Sequence, residues 1–293
     1  GAEAKAEAEG EVTVGFCRLG GDGRWAAGEA ACGAGSWAAA ERGPETAGPM
    51  RQAFFAPFAI VVGGGGGGVG GGGSDETGAA GDRSEVEAET GDRLEMQATL
   101  AAVGALLANL FVMTSESSPP LLTDDEVWSG SEGGGDGDGG GAGKWPAGNL
   151  LLVGGPRHNK LTARLALYWR SVGHAASWEG KGETEQLRLG GCALPRRRVG
   201  ALLLGPTPRG GLALVVTGDA AGLRDAVSAG EPTIPPMARA PFSNTLPDYL
   251  VTGPRFGALG YGGVLAAGFF GNRWELSERW GASYSAIDCW KQG

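Results

Sequence analysis

Asn149 to Asn159 reads NLLLVGGPRHN, and the reading of this stretch decides the fold. Leu150, Leu151, Leu152 and Val153 form an unbroken apolar run, the pattern of a strand buried on both faces in a helix-covered parallel sheet. Gly154-Gly155-Pro156 ends the run. Thr162 to Tyr168, TARLALY, then spaces its apolar residues as a helix does. Strand, glycine turn and helix make one half of a βαβ crossover.

The flanking segments repeat the alternation. Phe58 to Val62 is a strand candidate rich in apolar and β-branched residues, with Pro57 at its entrance. Leu94 to Met113 is the longest helix candidate, with Glu95 in its first turn. Asp124 to Trp128 reads as a short edge strand. Beyond the central unit, Ser177 to Gly180, Glu185 to Leu189 and Val199 to Leu204 read as short strands. Leu212 to Val216 is a buried strand, turned by Thr217-Gly218-Asp219 into a helix over Ala220 to Ser228 that Thr217 or Asp219 caps. Tyr249 to Val251 starts another strand, and Gly262 to Phe270 is the last apolar run.

These readings predict an α/β fold, Rossmann-like, with helices on both faces of a largely parallel sheet. Its strands lie near 58–62, 149–153, 201–204, 212–216, 249–252 and 264–270. The short strands between 177 and 204 supply a small antiparallel extension. Residues 1–47 form an irregular N-terminal segment, 48–275 the α/β domain and 276–293 a tail. Glu11 to Phe16 reads as a short strand, and Trp25 and Trp37 pack on the domain edge.

Two stretches interrupt the domain. Glycine makes up 58 of 293 residues, roughly three times ordinary usage of about 7%. The excess is concentrated: Gly63 to Gly73 holds 10 glycines in 11 residues, and Gly130 to Gly143 holds 9 in 14. No core is built from such runs, so 63–92 and 130–147 read as flexible, disordered insertions. The first follows a strand, but a phosphate-cradling loop needs a few glycines at fixed offsets and an immediate helix, and polyglycine followed by acids offers neither.

The net charge of -9 argues against a nucleic-acid partner and an anionic membrane surface. Ala98 to Met113 is short for a membrane span of about 20 residues and reads as a buried helix. Cys17, Cys32, Cys192 and Cys289 lie far apart without a CxxC pair, and His158 and His174 are the only histidines, so no metal site or cofactor is expected. The cysteines read as free or partly paired; a Cys17–Cys32 disulfide, closing a short loop, is the best pairing and would need an oxidising compartment. The opening GAEAKAEAEG carries neither Met nor a signal peptide, so the chain reads as a processed or partial product.

No serine sits in GxSxG: Ser36 in GAGSWAA and Ser283 in GASYS do not fit the elbow, and no catalytic residue is assigned. Glu275 and Asp248 are acids near apolar strands with nothing to pair them. Arg196-Arg197-Arg198 decorates a turn. The best ligand candidate is the turn after the central strand. Gly154 and Gly155 allow close backbone approach, Arg157, His158 and Asn159 supply donors, and the following helix N-terminus favours an anion. Pro156 removes one donor, and a solvated loop remains the plainer reading.

Three segments together carry a resemblance: GPMRQAFFAPFAIVVG (48–63), GNLLLVGGPRHNKLTARL (148–165), and LALVVTG (212–218) followed by LPDYLVTGPRFGALGYGGVLAAGFFGNRWE (246–275). They resemble the C-terminal region of large secreted α/β-hydrolase proteins with a prolyl-oligopeptidase-like or esterase-like catalytic domain. The resemblance covers about 48–275, with two gaps at the glycine tracts. It implies that the catalytic serine, acid and histidine lie in a separate domain outside this chain. The expected function is a non-catalytic companion domain of a secreted serine hydrolase or peptidase-like protein, whose partner is that catalytic domain. The alternatives are a stand-alone α/β module binding a small anion, and a hydrolase with an unusual nucleophile.

Overall fold

The computed structural model describes residues 16–18, 25–27, 42, 46, 50–64, 83–115, 117–129, 145–180, 182–231 and 247–281. In chain order the elements are β1 (Phe16–Arg18), β2 (Trp25–Ala27), a 3-10 turn (Met50–Phe54), β3 (Phe58–Val62), α1 (Arg83–Ser115), β4 (Leu121–Thr123), α2 (Asp124–Ser129), β5 (Asn149–Val153) and α3 (Lys160–Ser171). There follow β6 (Ala176–Glu179), β7 (Gln186–Leu189), β8 (Cys192–Ala193), β9 (Gly200–Pro206), β10 (Leu212–Gly218), α4 (Ala220–Gly230), β11 (Tyr249–Thr252), α5 (Phe256–Leu259), β12 (Val264–Phe270) and β13 (Leu276–Gly281).

The main sheet has eight strands in the order β13-β12-β11-β9-β10-β5-β3-β4. β4, β3, β5 and β10 run parallel, while β9 is antiparallel to both of its neighbours and β11, β12 and β13 continue antiparallel. The α/β class holds, but the sheet is mixed rather than largely parallel. The reason is a connection length. Thr207 to Gly211 joins β9 to β10 as a tight turn, with Thr207 N–H donating to Gly211 O at 2.8 Å, and a parallel crossover needs a dozen residues or more.

β5 is the third strand from the β4 edge, inside the parallel half, and its five residues are all buried, as a strand covered on both faces must be. Coverage of the two faces is legible on β9. Gly200 and Gly205 are five apart and point to opposite sides. A Cβ on Gly200 would strike the backbone of α4, and one on Gly205 would strike the Trp169 ring of α3. α1 lies on the α4 side, where Arg224 reaches Thr99 at 2.9 Å.

Several boundaries differ from the sequence reading. The helix expected from Leu94 starts at Arg83, so residues 83–92, assigned to a flexible insertion, are helical; Glu and Ala propagate a helix, and acids suit its N-terminal turns. The second insertion ends earlier than residue 147, because Trp145 is buried in the core. The remainder of both glycine tracts, and the Glu11 strand up to residue 15, lies outside the described residues. Asp124 to Trp128 is helix α2, with the edge strand β4 just before it. A capping box fixes that boundary: Thr123 Oγ1 accepts from Glu126 N–H at 3.2 Å, and the Glu126 carboxylate accepts from Thr123 N–H at 2.7 Å. The short strands at 176–193 form a separate antiparallel sheet of three strands. The main sheet also runs past residue 275, into β13.

The 25-residue stretch Thr90–Thr114 of α1 is long and apolar enough, by length and composition, to cross a membrane. Here Met96, Leu100, Val103, Leu107 and Phe111 lie along one face and are buried in the core. Leu94, Leu106, Val112 and Met113 are exposed.

Candidate functional site

The glycine turn lies at the carboxyl end of β5, the end where parallel sheets present helix N-termini. Gly154 takes φ 111°, a conformation that favours glycine, and donates to Val216 O of β10 at 2.8 Å. Gly155 is packed so tightly that a Cβ would overlap Thr217 Oγ1. Its carbonyl accepts from His158 and Asn159 N–H, each at 2.9 Å.

Asn159 is buried and ties three elements together. Its Nδ2 donates to Val61 O of β3 at 3.1 Å and to Val153 O of β5 at 3.2 Å, while Oδ1 accepts from Leu161 and Thr162 N–H at the start of α3. It is therefore an N-cap and a strand clasp. Thr162 Oγ1 adds a bond to Gly154 O at 2.9 Å.

The α3 N-terminus attracts an anion, and the chain supplies it. The buried Asp124 carboxylate accepts from Lys160 N–H at 2.8 Å and from Gly64 N–H at 2.7 Å, and Asp125 pairs with the Lys160 ammonium. Glu185 reaches over the turn from the small sheet. Burial raises its carboxyl pKa, opposed by a hydrogen bond from the Arg157 backbone and by the Arg157 charge. Each amide from residue 157 to residue 163 is thus accepted by a group of the chain itself. At the neighbouring strand end Asp219 accepts from Gly222 N–H at 2.7 Å, as the sequence predicts, and also from Arg198 N–H at 2.6 Å.

Of the five sequence-predicted contacts, Gly154, Gly155 and Asn159 are buried, His158 is half-buried and Arg157 is exposed. Burial, helped by the Arg157 charge, pushes His158 down to about 4, so its ring is neutral at physiological pH and adds no positive charge to the turn. The sequence reading missed Asp124 and Glu185. The Thr123-x-x-Glu126 capping signature was the available signal for Asp124; Glu185 is brought in by the fold, and no local pattern marks it.

His174 is a core residue. Ala176 N–H donates to Nδ1 at 3.0 Å, so Nδ1 is unprotonated and Nε2–H donates to Leu204 O at 3.0 Å. The ring stacks on Trp169, centroids 4.1 Å apart, and burial pushes its pKa down to about 3. Among the described residues neither imidazole is hydrogen-bonded to a hydroxyl or thiol, and no cluster of three His, Cys, Asp or Glu side chains could hold a metal. Cys192 is disulfide-bonded, so it is not free, and the Cys17–Cys32 pairing lies outside the described side chains.

Comparison with protein-family models, with curated proteins and with solved structures finds no match.

Proposed function

We propose that this chain is a non-catalytic companion domain of a secreted serine hydrolase, supporting the catalytic domain or its binding of substrate. The observation that carries this reading is the self-filled carboxyl edge. Where an α/β sheet offers amides to a ligand, Asp124, Asn159, Glu185 and Asp219 already accept them. Such an edge suits a scaffold better than a small-anion module or a catalyst.

Two further observations support it. The segments that resemble those hydrolases coincide with β3, β5 and its turn, β10, β11 and β12, so the resemblance follows the framework of the sheet. The Cys192 disulfide suits the oxidising compartment that secretion implies. In the same reading the parallel quartet β4-β3-β5-β10 is the Rossmann-like part, and the glycine tracts are insertions that can be shortened without loss of the fold.

The test is a fluorophosphonate probe on the purified chain. No serine should be labelled, and an in-frame GxSxG should be encoded upstream. Stoichiometric labelling of one serine, abolished by its substitution with Ala, would overturn the reading in favour of a hydrolase with an unusual nucleophile.

A further inference from the structure

Arg42 enters the antiparallel half of the sheet beside the β12–β13 turn. Its N–H donates to Asn272 O at 2.9 Å. Its guanidinium donates from Nη1 to Phe270 O at 3.2 Å and from Nη2 to Asp248 Oδ2 at 2.8 Å, and lies 4.4 Å from the centre of the Trp274 ring. A carboxylate, a carbonyl and an aromatic face are what a planar guanidinium recognises, and what a point-charge ammonium uses less well.

The walls of this pocket are built independently of Arg42. Asp248 is fully buried, donating its N–H to Gly268 O and accepting Leu204 N–H on its carbonyl. Trp274 is also fully buried, at φ 65°, with its N–H on Gly271 O. Its ring stacks on His174, which stacks in turn on Trp169. A bulky residue in left-handed backbone persists only where its surroundings over-determine it.

Arg42 leaves part of the lining unused. The Arg42 and Phe270 donors both reach Asp248 at Oδ2, while Asp248 Oδ1, an acceptor, is buried without a hydrogen-bond partner. Buried polar atoms without partners are rare in folded proteins. Here that oxygen borders a cation held end-on, where a bidentate guanidinium would use both carboxylate oxygens.

We propose that Asp248, Trp274 and the Phe270 carbonyl form a guanidinium-binding site, which Arg42 fills in cis and a small alkylguanidinium ligand fills when Arg42 is withdrawn. Occupancy by a ligand and by Arg42 therefore exclude each other.

The experiment uses the full chain carrying Arg42→Ala, which opens a guanidinium-sized space beside a buried carboxylate. Methylguanidinium and methylammonium chloride are titrated at neutral pH, with melting temperature and tryptophan fluorescence as readouts. Arg42→Ala should be stabilised saturably by methylguanidinium, with apparent affinity about tenfold or more above methylammonium. The native chain and Arg42→Ala/Asp248→Asn should not respond. Equal response to the two cations, or a response retained without the Asp248 charge, overturns the proposal. If Arg42→Ala is recovered only unfolded, refolding yield in each salt reads the same contrast, and equal yields overturn it.

Discussion

The two halves of the sheet treat the buried polar groups at their strand ends differently. In the parallel half, β5 is bracketed by Asn149 and Asn159. Asn149 donates to Ala53 O at 3.0 Å and accepts Leu212 N–H at 2.8 Å. Asn159 makes its bonds to Val61, Val153, Leu161 and Thr162. In the antiparallel half, Asp248 Oδ1, Tyr249 OH and Trp274 Nε1 are buried with no partner. A satisfied buried network rigidifies a fold, whereas unsatisfied groups mark a place the fold alone does not explain. On that contrast the glycine turn is framework, although its sequence looks like a ligand loop, and the pocket around Asp248 is the better site.

The strongest way to break the contrast is Asn159→Ala. It removes the cap of α3 and leaves the Leu161 and Thr162 amides without their acceptor inside the core, while Val153 O keeps the Gly63 N–H at 3.0 Å. The expected loss is roughly 3–5 kcal/mol, from a cap worth about 1 and buried polar groups at about 1–3 each. Equilibrium urea denaturation measures it. A loss near zero would show that water reaches the turn and that the parallel half is not sealed.

The parallel framework was legible from short local patterns. The LLLV run gave β5, the apolar stretch at 58–62 gave β3, and the Thr217-Gly218-Asp219 cap placed α4. β4 and α2 were missed because the Thr123-x-x-Glu126 box was read as strand, and the antiparallel direction of β9 was missed because the short Thr207–Gly211 link was not weighed against crossover length. The Asp248 pocket was hidden for a different reason. Arg42 and Trp274 carry no local signal, and Asp248 reads in the sequence as an acid with nothing to pair it, whereas Arg42 pairs it at 2.8 Å; only long-range packing joins them, with Arg42 and Phe270 separated by 228 positions. Sequence periodicity reports which face is buried; it does not report which distant polar groups share that burial.

The antiparallel half should reveal itself by pH. Burial raises the Asp248 carboxyl from 3.8 to about 6, against the opposing pull of Arg42. A group raised on folding contributes stability that is fully present below its unfolded value and is lost as pH rises through its folded value. Relative to Asp248→Asn, the native chain should therefore lose on the order of 2–3 kcal/mol between about pH 4 and about pH 7. Denaturation of both proteins across that window gives the difference directly. A flat difference would mean that the Asp248 carboxyl is as well solvated as in the unfolded chain, and the contrast between the halves would collapse.

The smallest effect sharpens the comparison most. Asp124 and Arg42 are mirror cases: each is an ion of the chain filling a place built for its charge. Asp124 occupies the N-terminus of α3, holding the amides of Lys160 and Gly64. Asp124→Ala should cost roughly 1–2 kcal/mol, the usual range for a lost cap. It should also open the anion place that the native chain keeps closed, since amides at a helix N-terminus bind phosphate readily. Inorganic phosphate at ten times its dissociation constant would then restore about 1.4 kcal/mol to the variant and nothing to the native chain. Thermal melts with and without phosphate, at matched ionic strength, make the measurement. Phosphate that stabilises the native chain equally would show an open site on the carboxyl edge and return the glycine turn to candidacy as a ligand loop. A response confined to Asp124→Ala would establish that the parallel half has filled its own site through a residue packed into the framework.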